Sequence, residues 1–217
     1  MRIVVVASGA LAPGDERCLD GADLVIAADG GAGSLARLGR RPDRLVGDLD
    51  SADPALVERL EATGTRVDRH PMDKDSSDTE LAVHAARAEG AHAIDLIGAT
   101  GGDRLDHELA NLLLLADPAF AGAELRAVVG GTTVRAARGG QTLALRGVPG
   151  DLVTLLPIGG DASGVTTSGL RWELEAATLR LGRSRGLSNV IVEAGASVRL
   201  ADGVLLVVET TSTGGHR

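Results

Sequence analysis

The sequence predicts an α/β fold followed by a smaller all-β part, and three observations carry that prediction. Up to about residue 130, short apolar runs alternate with longer stretches of helical periodicity. Those runs are apolar throughout rather than alternating, as strands covered on both faces are. After about residue 137 the helical periodicity fades, and short strand-like runs recur between Gly, Pro and Ser turns. A βαβ rhythm of this kind implies a doubly wound, mostly parallel, Rossmann-like sheet over residues 1–136. Residues 137–217 are expected to form a β-sandwich or barrel.

Taken in order, the expected strands of the first part are residues 3–7, 24–28, 44–46, a weaker 66–69, 94–97 and 125–129. Helices are expected between them at 32–38, 54–63, 77–89 and 105–115. The third helix is the best signalled: Ser77 and Glu80 fit a capping box, and Leu81, Ala85 and Ala88 give it an apolar stripe. In the second part, 152–156, 177–181 and 190–193 read as strands. Residues 198–200 and 204–208 read as a hairpin turning at Asp202-Gly203. The tail 210–217 has no apolar residue and is expected to be disordered.

Composition narrows the function. Hydrophobic residues make up 44% of the 217, enough for a core, yet the only aromatics are Phe120 and Trp172. The core must therefore come from Val, Leu, Ile and Ala. A net charge of −8 disfavours non-specific binding to nucleic acid or anionic membrane. Cys18 is the sole cysteine, which excludes an internal disulfide and a multi-cysteine zinc site. The apolar run after Met1 is too short for a signal peptide and reads as a buried first strand. No stretch approaches the roughly 20 apolar residues of a membrane helix, so the cytoplasm is the expected compartment.

The chemistry lies in four acidic, glycine-bounded groups. They are Asp29-Gly30-Gly31, then Gly47-Asp48-Leu49-Asp50-Ser51, then the segment from Lys74 and Asp75 through Ser77 and Asp78 to Glu80, then Gly101-Gly102-Asp103-Arg104-Leu105-Asp106-His107. Three follow an apolar run, and in open α/β sheets ligands sit beyond the carboxyl ends of the strands. Carboxylates gathered on one rim repel: at about 4 Å and an effective dielectric of about 20, each pair costs roughly 4 kcal/mol. A divalent metal carrying a polyphosphate would relieve that conflict. Hard Mg²⁺ takes oxygen ligands, one or two carboxylates with phosphates and water, and the glycines let backbone amides approach phosphate oxygens. Lys74 is the only lysine in the chain and stands inside an acidic group.

Each group alone also reads as an ordinary turn, loop or helix cap; their combination on one rim is what points to a site. There is no G-x-x-x-x-G-K-[ST], no G-x-G-x-x-G after the first strand and no G-x-S-x-G. His70, His84, His92 and His107 lack a zinc-ligand spacing, and only His107, beside Asp106, draws interest.

At these residues the sequence resembles the thiamine pyrophosphokinase (thiamine diphosphokinase) family, bacterial type, over nearly its whole length. The ordered set Asp-Gly-Gly, Gly-Asp-x-Asp-Ser, Lys-Asp-x-Thr-Asp-x-Glu and Gly-Gly-Arg-x-Asp-His appears here at 29–31, 47–51, 74–80 and 101–107, with Ser77 in place of Thr and Asp103 inserted before Arg104. Residues 168–172 and 186–189 are similar to the family's thiamine-binding segments.

The resemblance implies transfer of a pyrophosphoryl group from ATP to the thiamine hydroxyl, with AMP leaving. It implies Mg²⁺ on Asp48, Asp50 and Asp78, with Asp75 close by. Lys74 and Arg104 would neutralise phosphate charge. Asp29, Gly30, Gly31, Ser77, Gly102 and His107 would line the nucleotide side, and Asp75 or Asp106 would accept the hydroxyl proton. Trp172 would pack on thiamine's rings, its face attracting a cationic heterocycle, with polar contacts from Ser168, Ser188 or Asn189. It further implies a homodimer whose active site joins the α/β domain of one subunit to the β domain of the other. Three other readings fit the same residues: a pyrophosphokinase for a pterin alcohol, a non-catalytic nucleotide or thiamine sensor, and a Mg²⁺-dependent nucleotide hydrolase.

Overall fold

The computed structural model describes residues 1–212. The chain divides into two compact units, Met1–Gly130 and a second beginning at Gly131. The boundary expected between 136 and 137 falls inside a strand, Thr132–Arg138. That strand pairs antiparallel with residues 204–210 of the second unit.

In the first unit, β1 (Arg2–Val6), β2 (Leu24–Ala28), α1 (Gly31–Arg37), β3 (Arg44–Gly47), α2 (Pro54–Ala62), β4 (Arg66–Arg69), α3 (Asp78–Ala88), β5 (Ala93–Ile97), α4 (Leu105–Leu114) and β6 (Glu124–Val129) follow one another. Every expected strand and helix is present within one or two residues at each end. The six strands are all parallel, in the order β4-β3-β2-β1-β5-β6. Successive strands step outward from β1 to β4, and β5 then returns to the opposite side of β1. That reversal makes the β1/β5 boundary the topological switch point, where such sheets open a crevice.

The apolar-throughout pattern has the expected cause. Ile3, Val4, Val5 and Val6 are all fully buried. Val4 and Val6 pack with Ala32 and Leu35 of α1 and Val57 and Leu60 of α2. Side chains alternate across a strand, so Ile3 and Val5 face the other way, where α3 packs across β1, β2 and β3. One charged group lies inside this layer: Asp95 on β5, 1% exposed, paired with Arg2 at 2.8 Å and Arg126 at 2.5 Å. This pairing offsets the cost of burying the carboxylate.

The second unit is antiparallel. Its strands are β7 (Thr132–Arg138), β8 (Thr142–Ala144), β9 (Leu152–Ser168), β10 (Ala177–Leu179), β11 (Asn189–Val190), β12 (Ser197–Arg199) and β13 (Asp202–Thr210). The 17-residue β9 is its spine, pairing with β10, β11, β12 and β13. Leu155, Val165, Ile191, Val198 and Leu205 fill its core without an aromatic ring. Buried Glu209 accepts from Arg135 and from the N–H groups of Arg146 and Gly147.

The expected hairpin of 198–200 with 204–208 does not form. β12 pairs with β9 at Ser168–Thr166, and β13 pairs with the same strand from Ser163 back to Leu152. Both therefore run the same way along β9, whereas hairpin partners must run opposite ways. The Asp202-Gly203 step is a register shift opposite a bend of β9, not a reversal of the chain. The first residues of the expected disordered tail are ordered. Thr210 ends β13, Thr211 N–H donates to Gly131 O at 2.8 Å, and Ser212 N–H donates to Asp151 Oδ1 at 2.9 Å. Residues 213–217 lie outside the described residues.

Candidate active site

A cleft of about 650 Å³ opens in the first unit at the switch point. Ser8 and Gly9 after β1, Asp29 and Gly30 after β2, Asp48 and Asp50 after β3, and Ala99 and Thr100 after β5 line it, with the first turns of α3 and α4. The strand-end rule thus places the acidic groups together, as the sequence suggested.

Asp29, Asp48 and Asp78 each offer a carboxylate oxygen, and these lie within 4.8 Å of one another. The expected trio had Asp50 in place of Asp29. Asp29 enters because β2 and β3 are neighbours: its N–H donates to Val46 O at 2.9 Å, and its φ of 42° ends the strand. Asp50 follows Leu49, whose φ is 64°, and lines the same cleft without belonging to this close trio. Asp50 N–H then donates to Asp48 Oδ1 at 3.3 Å, and its own Oδ1 accepts from the Ser51 hydroxyl at 3.0 Å. Gly47 makes room for the cluster. A Cβ at Gly47 would stand 3.0 Å from Asp78 Oδ1 and 3.2 Å from Asp29 Cβ, and its φ of 151° already disfavours a side chain.

Lys74 bridges two of the three acids, with Nζ 2.7 Å from Asp48 Oδ2 and 3.1 Å from Asp78 Oδ1. The ammonium beside it holds the Asp48 carboxyl below its ordinary range. Burial opposes the charge on Lys74, but Asp48 and Asp78 together push its pKa up. Asp29 lies beyond the lysine's bonds. Burial pushes its pKa up, and Asp78 and Asp50 add to that against hydrogen bonds from Ser51 and Gly30. Its Oδ1 is buried with no hydrogen-bond donor among the described residues.

The other predicted residues divide. Gly30, Ser77, Gly102, Arg104 and His107 line the cleft. Ser77 caps α3 by accepting from Glu80 N–H at 3.1 Å. The reciprocal half of the capping box is missing, because the Glu80 carboxylate accepts from the Ser76 hydroxyl instead. Gly31 is not a lining residue: it is buried, and a Cβ there would lie 2.1 Å from Val6 O. Asp75 is exposed and does not line the cleft. Asp106 is also outside it, in a two-pronged pair with Arg104 at 2.9 and 2.6 Å that holds its carboxyl down to about 2. A carboxylate so stabilised is a poor proton acceptor.

Sequence reasoning passed over Ser8, Glu108 and Asn111. Glu108 Oε1 accepts from Gly101 N–H at 2.8 Å and Gly102 N–H at 3.0 Å, fixing the glycine loop. Buried Asn111 donates to Ala99 O at 3.0 Å, joining α4 to the end of β5. Asn111 stands four residues after His107, hence on the same helical face. That spacing, and the position of Ser8 just after the first strand, were the signals available.

In the second unit, Asn189 clasps the backbone of Trp172. Its Oδ1 accepts from Trp172 N–H at 3.1 Å, and its Nδ2 donates to Trp172 O at 2.7 Å. The indole is 59% exposed, with the Arg171 guanidinium 5.6 Å over the ring. Ser188, at φ 56°, follows the same loop and donates its N–H to Thr154 Oγ1. Ser168 is bonded to Ser197 at 2.9 Å. A core tryptophan would be buried; this one is presented.

Comparison with known proteins decides between the readings. Residues 16–127 match the family model of the thiamin pyrophosphokinase catalytic domain, and residues 141–205 that of its vitamin B1 binding domain. The chain belongs to the thiamine pyrophosphokinase family. Its relatives include the thiamine pyrophosphokinase of Bacillus subtilis (strain 168), 25% identical over 188 residues, which are 87% of each chain. The crystal structure of a thiamine pyrophosphokinase from Bacillus subtilis superposes with a TM-score of 0.86 over 98% of this chain and 100% of that one. The enzyme from Geobacillus thermodenitrificans is 28% identical, with a TM-score of 0.81 over 99% of both. The thiamin pyrophosphokinase fold extends to the one from Candida albicans, at 16% identity and a TM-score of 0.82 over 96% of this chain and 88% of that one. Membership of a thiamine pyrophosphokinase family makes this a transferase and gives no support to the pterin-alcohol or sensor readings.

Proposed function

We propose that the chain transfers the pyrophosphoryl group of ATP to the hydroxyl of thiamine, giving thiamine diphosphate and AMP. The hydroxyl oxygen gives up its proton, which is released to water, and forms a bond to the β-phosphorus; the bond from that phosphorus to the α-phosphate oxygen breaks, and AMP leaves with the electron pair. The observation that carries this reading is the convergence of Asp29, Asp48 and Asp78 at the switch-point cleft of a family member. An all-oxygen set with two buried acceptors left open, Asp29 Oδ1 and Asp78 Oδ1, suits Mg²⁺. Asp29, Asp48 and Asp78 would hold the ion, which when bound neutralises charge on the polyphosphate.

This chain's own residues do the positioning. Lys74 and Arg104 face the phosphates as cations, while Gly30, Ser77, Gly102 and His107 form the remaining nucleotide wall, with Asp50 beside them. Trp172 is the platform for the thiamine rings, its backbone fixed by Asn189, with Ser188 and Ser168 as polar neighbours. We also propose a homodimer in which the α/β unit of one subunit meets the β unit of the other. Leu105, Leu109 and Leu113, spaced one turn apart on α4 and 67%, 53% and 53% exposed, support an assembled state. Among the described residues no helix is long and apolar enough to cross a membrane, and we place the protein in the cytoplasm.

The test is a product assay with Mg²⁺ and ATP, with and without thiamine. AMP and thiamine diphosphate should appear in equal amounts and only when thiamine is present. Phosphate or AMP released without thiamine would make the protein a hydrolase, and no AMP under either condition would refute the transfer.

A further inference from the structure

Lys74 stands where a cation is wanted. Its ammonium is 14% exposed and touches Asp48 and Asp78, two of the three acids whose oxygens converge. The third, Asp29, lies outside its contacts, and both Asp29 Oδ1 and Asp78 Oδ1 are buried without a hydrogen bond among the described residues. One ammonium is a compact point charge with three donors, so it can quiet part of this cluster but not all of it. A divalent ion seeking the same lone pairs and the lysine have like charge and cannot share them. The lysine sits on a flexible four-carbon stem in the loop before α3, and it lines the cleft assigned to the polyphosphate.

We infer that Lys74 is a built-in placeholder cation. It holds the acidic cluster together while the site is empty, and an entering ion displaces it toward the polyphosphate. This inference rests on the metal reading above and adds a consequence to it. Metal entry and nucleotide binding reinforce each other through one side chain, because the ion frees a positive charge for the phosphates and the phosphates keep that charge off the acids. Until displaced, the lysine lowers the apparent affinity for the ion alone.

Calorimetric titration of the full chain with Mg²⁺, without nucleotide, tests this. If the paired lysine outweighs the released one by about ten to one, the apparent affinity is reduced about tenfold. Lys74→Met and Lys74→Gln should therefore each bind Mg²⁺ about tenfold more tightly than the parent, while a non-hydrolysable ATP analogue binds more weakly. Two variants guard against one that misfolds, and circular dichroism shows which has folded. A second readout needs no variant. Lys74 is the only lysine, so protein made with lysine ¹³C-labelled at Cε gives a single side-chain signal, and saturating Mg²⁺ should shift it. Mg²⁺ bound by all three proteins with equal or weaker affinity in the variants, or bound without moving the signal, overturns the placeholder role and leaves the metal reading intact. No Mg²⁺ bound by parent or variants overturns both.

Discussion

Two glycines two residues apart in α1 should respond to the same substitution with opposite sign. At Gly31 a Cβ would lie 2.1 Å from Val6 O, 2.9 Å from Val6 C and 3.1 Å from Ala7 O. An ordinary carbon–oxygen contact is about 3.3 Å or more, so the first turn of α1 would have to retreat by about 1 Å. The obstacle is backbone of a fully buried central strand, which cannot swing aside as a side chain can. Overpacking commonly costs about 1–3 kcal/mol, and this site belongs at about 3 kcal/mol or above. At Gly33 the added carbon meets only the tip of Arg37, at 3.7 Å. There Gly→Ala should stabilise the helix by about 0.5–1 kcal/mol. The predicted gap of about 4 kcal/mol corresponds to roughly 8–16 °C in Tm for a chain of this size. The assay can follow each unit separately. All four α-helices of the described residues lie in the first unit, so ellipticity at 222 nm reports it, whereas the sole tryptophan, Trp172, reports the second. Gly31→Ala should melt early by ellipticity with little change in tryptophan fluorescence. Equal melting of the two variants would refute the close-packing account and return Gly31 to the nucleotide wall.

Further outcomes follow from the same geometry. Asp48→Asn should lower turnover by roughly 10²-fold or more, and by more than Asp50→Asn, measured as AMP formation at saturating substrates; the reverse order would restore Asp50 to the metal trio. Asp29→Asn should abolish activity yet raise Tm near pH 7 in chelator, because it removes a buried charge and asparagine tolerates a φ of 42°. The sign follows from burial raising the Asp29 pKa above its ordinary 3.8. Its favourable contribution is complete below 3.8 and is lost as pH rises through the raised value, so the variant's advantage should vanish near pH 3.5. A variant less stable than the parent at pH 7 would contradict this. Trp172→Ala should raise KM for thiamine by about 3–30-fold while KM for ATP stays within about twofold, measured by varying each substrate; a change confined to ATP would remove Trp172 from the thiamine platform.

The sequence by itself determined the elements of this protein and the chemistry they carry. Runs such as Val4-Val5-Val6 announce strands buried on both faces, because burial is written in local hydrophobicity. Helices expected over 54–63, 77–89 and 105–115 announce themselves by their apolar period, and acidic, glycine-bounded groups, three of them directly after apolar runs, point to a site at the strand ends. Tertiary structure alone decided which residues meet. Asp29 joins Asp48 because β2 lies beside β3, while Asp50, past the left-handed Leu49, lines the same cleft. Gly31 serves packing because Val6 comes within 2.1 Å of where its Cβ would be, a distance between segments 25 residues apart that no local pattern contains. Arg104 and Asp106, two residues apart, satisfy each other. The Asp202-Gly203 step has the local signature of a hairpin, but β9 pairs with both flanking strands. Periodicity records what each residue prefers to face, solvent or core; it does not record which distant segment supplies the partner, and the site is made of such partners.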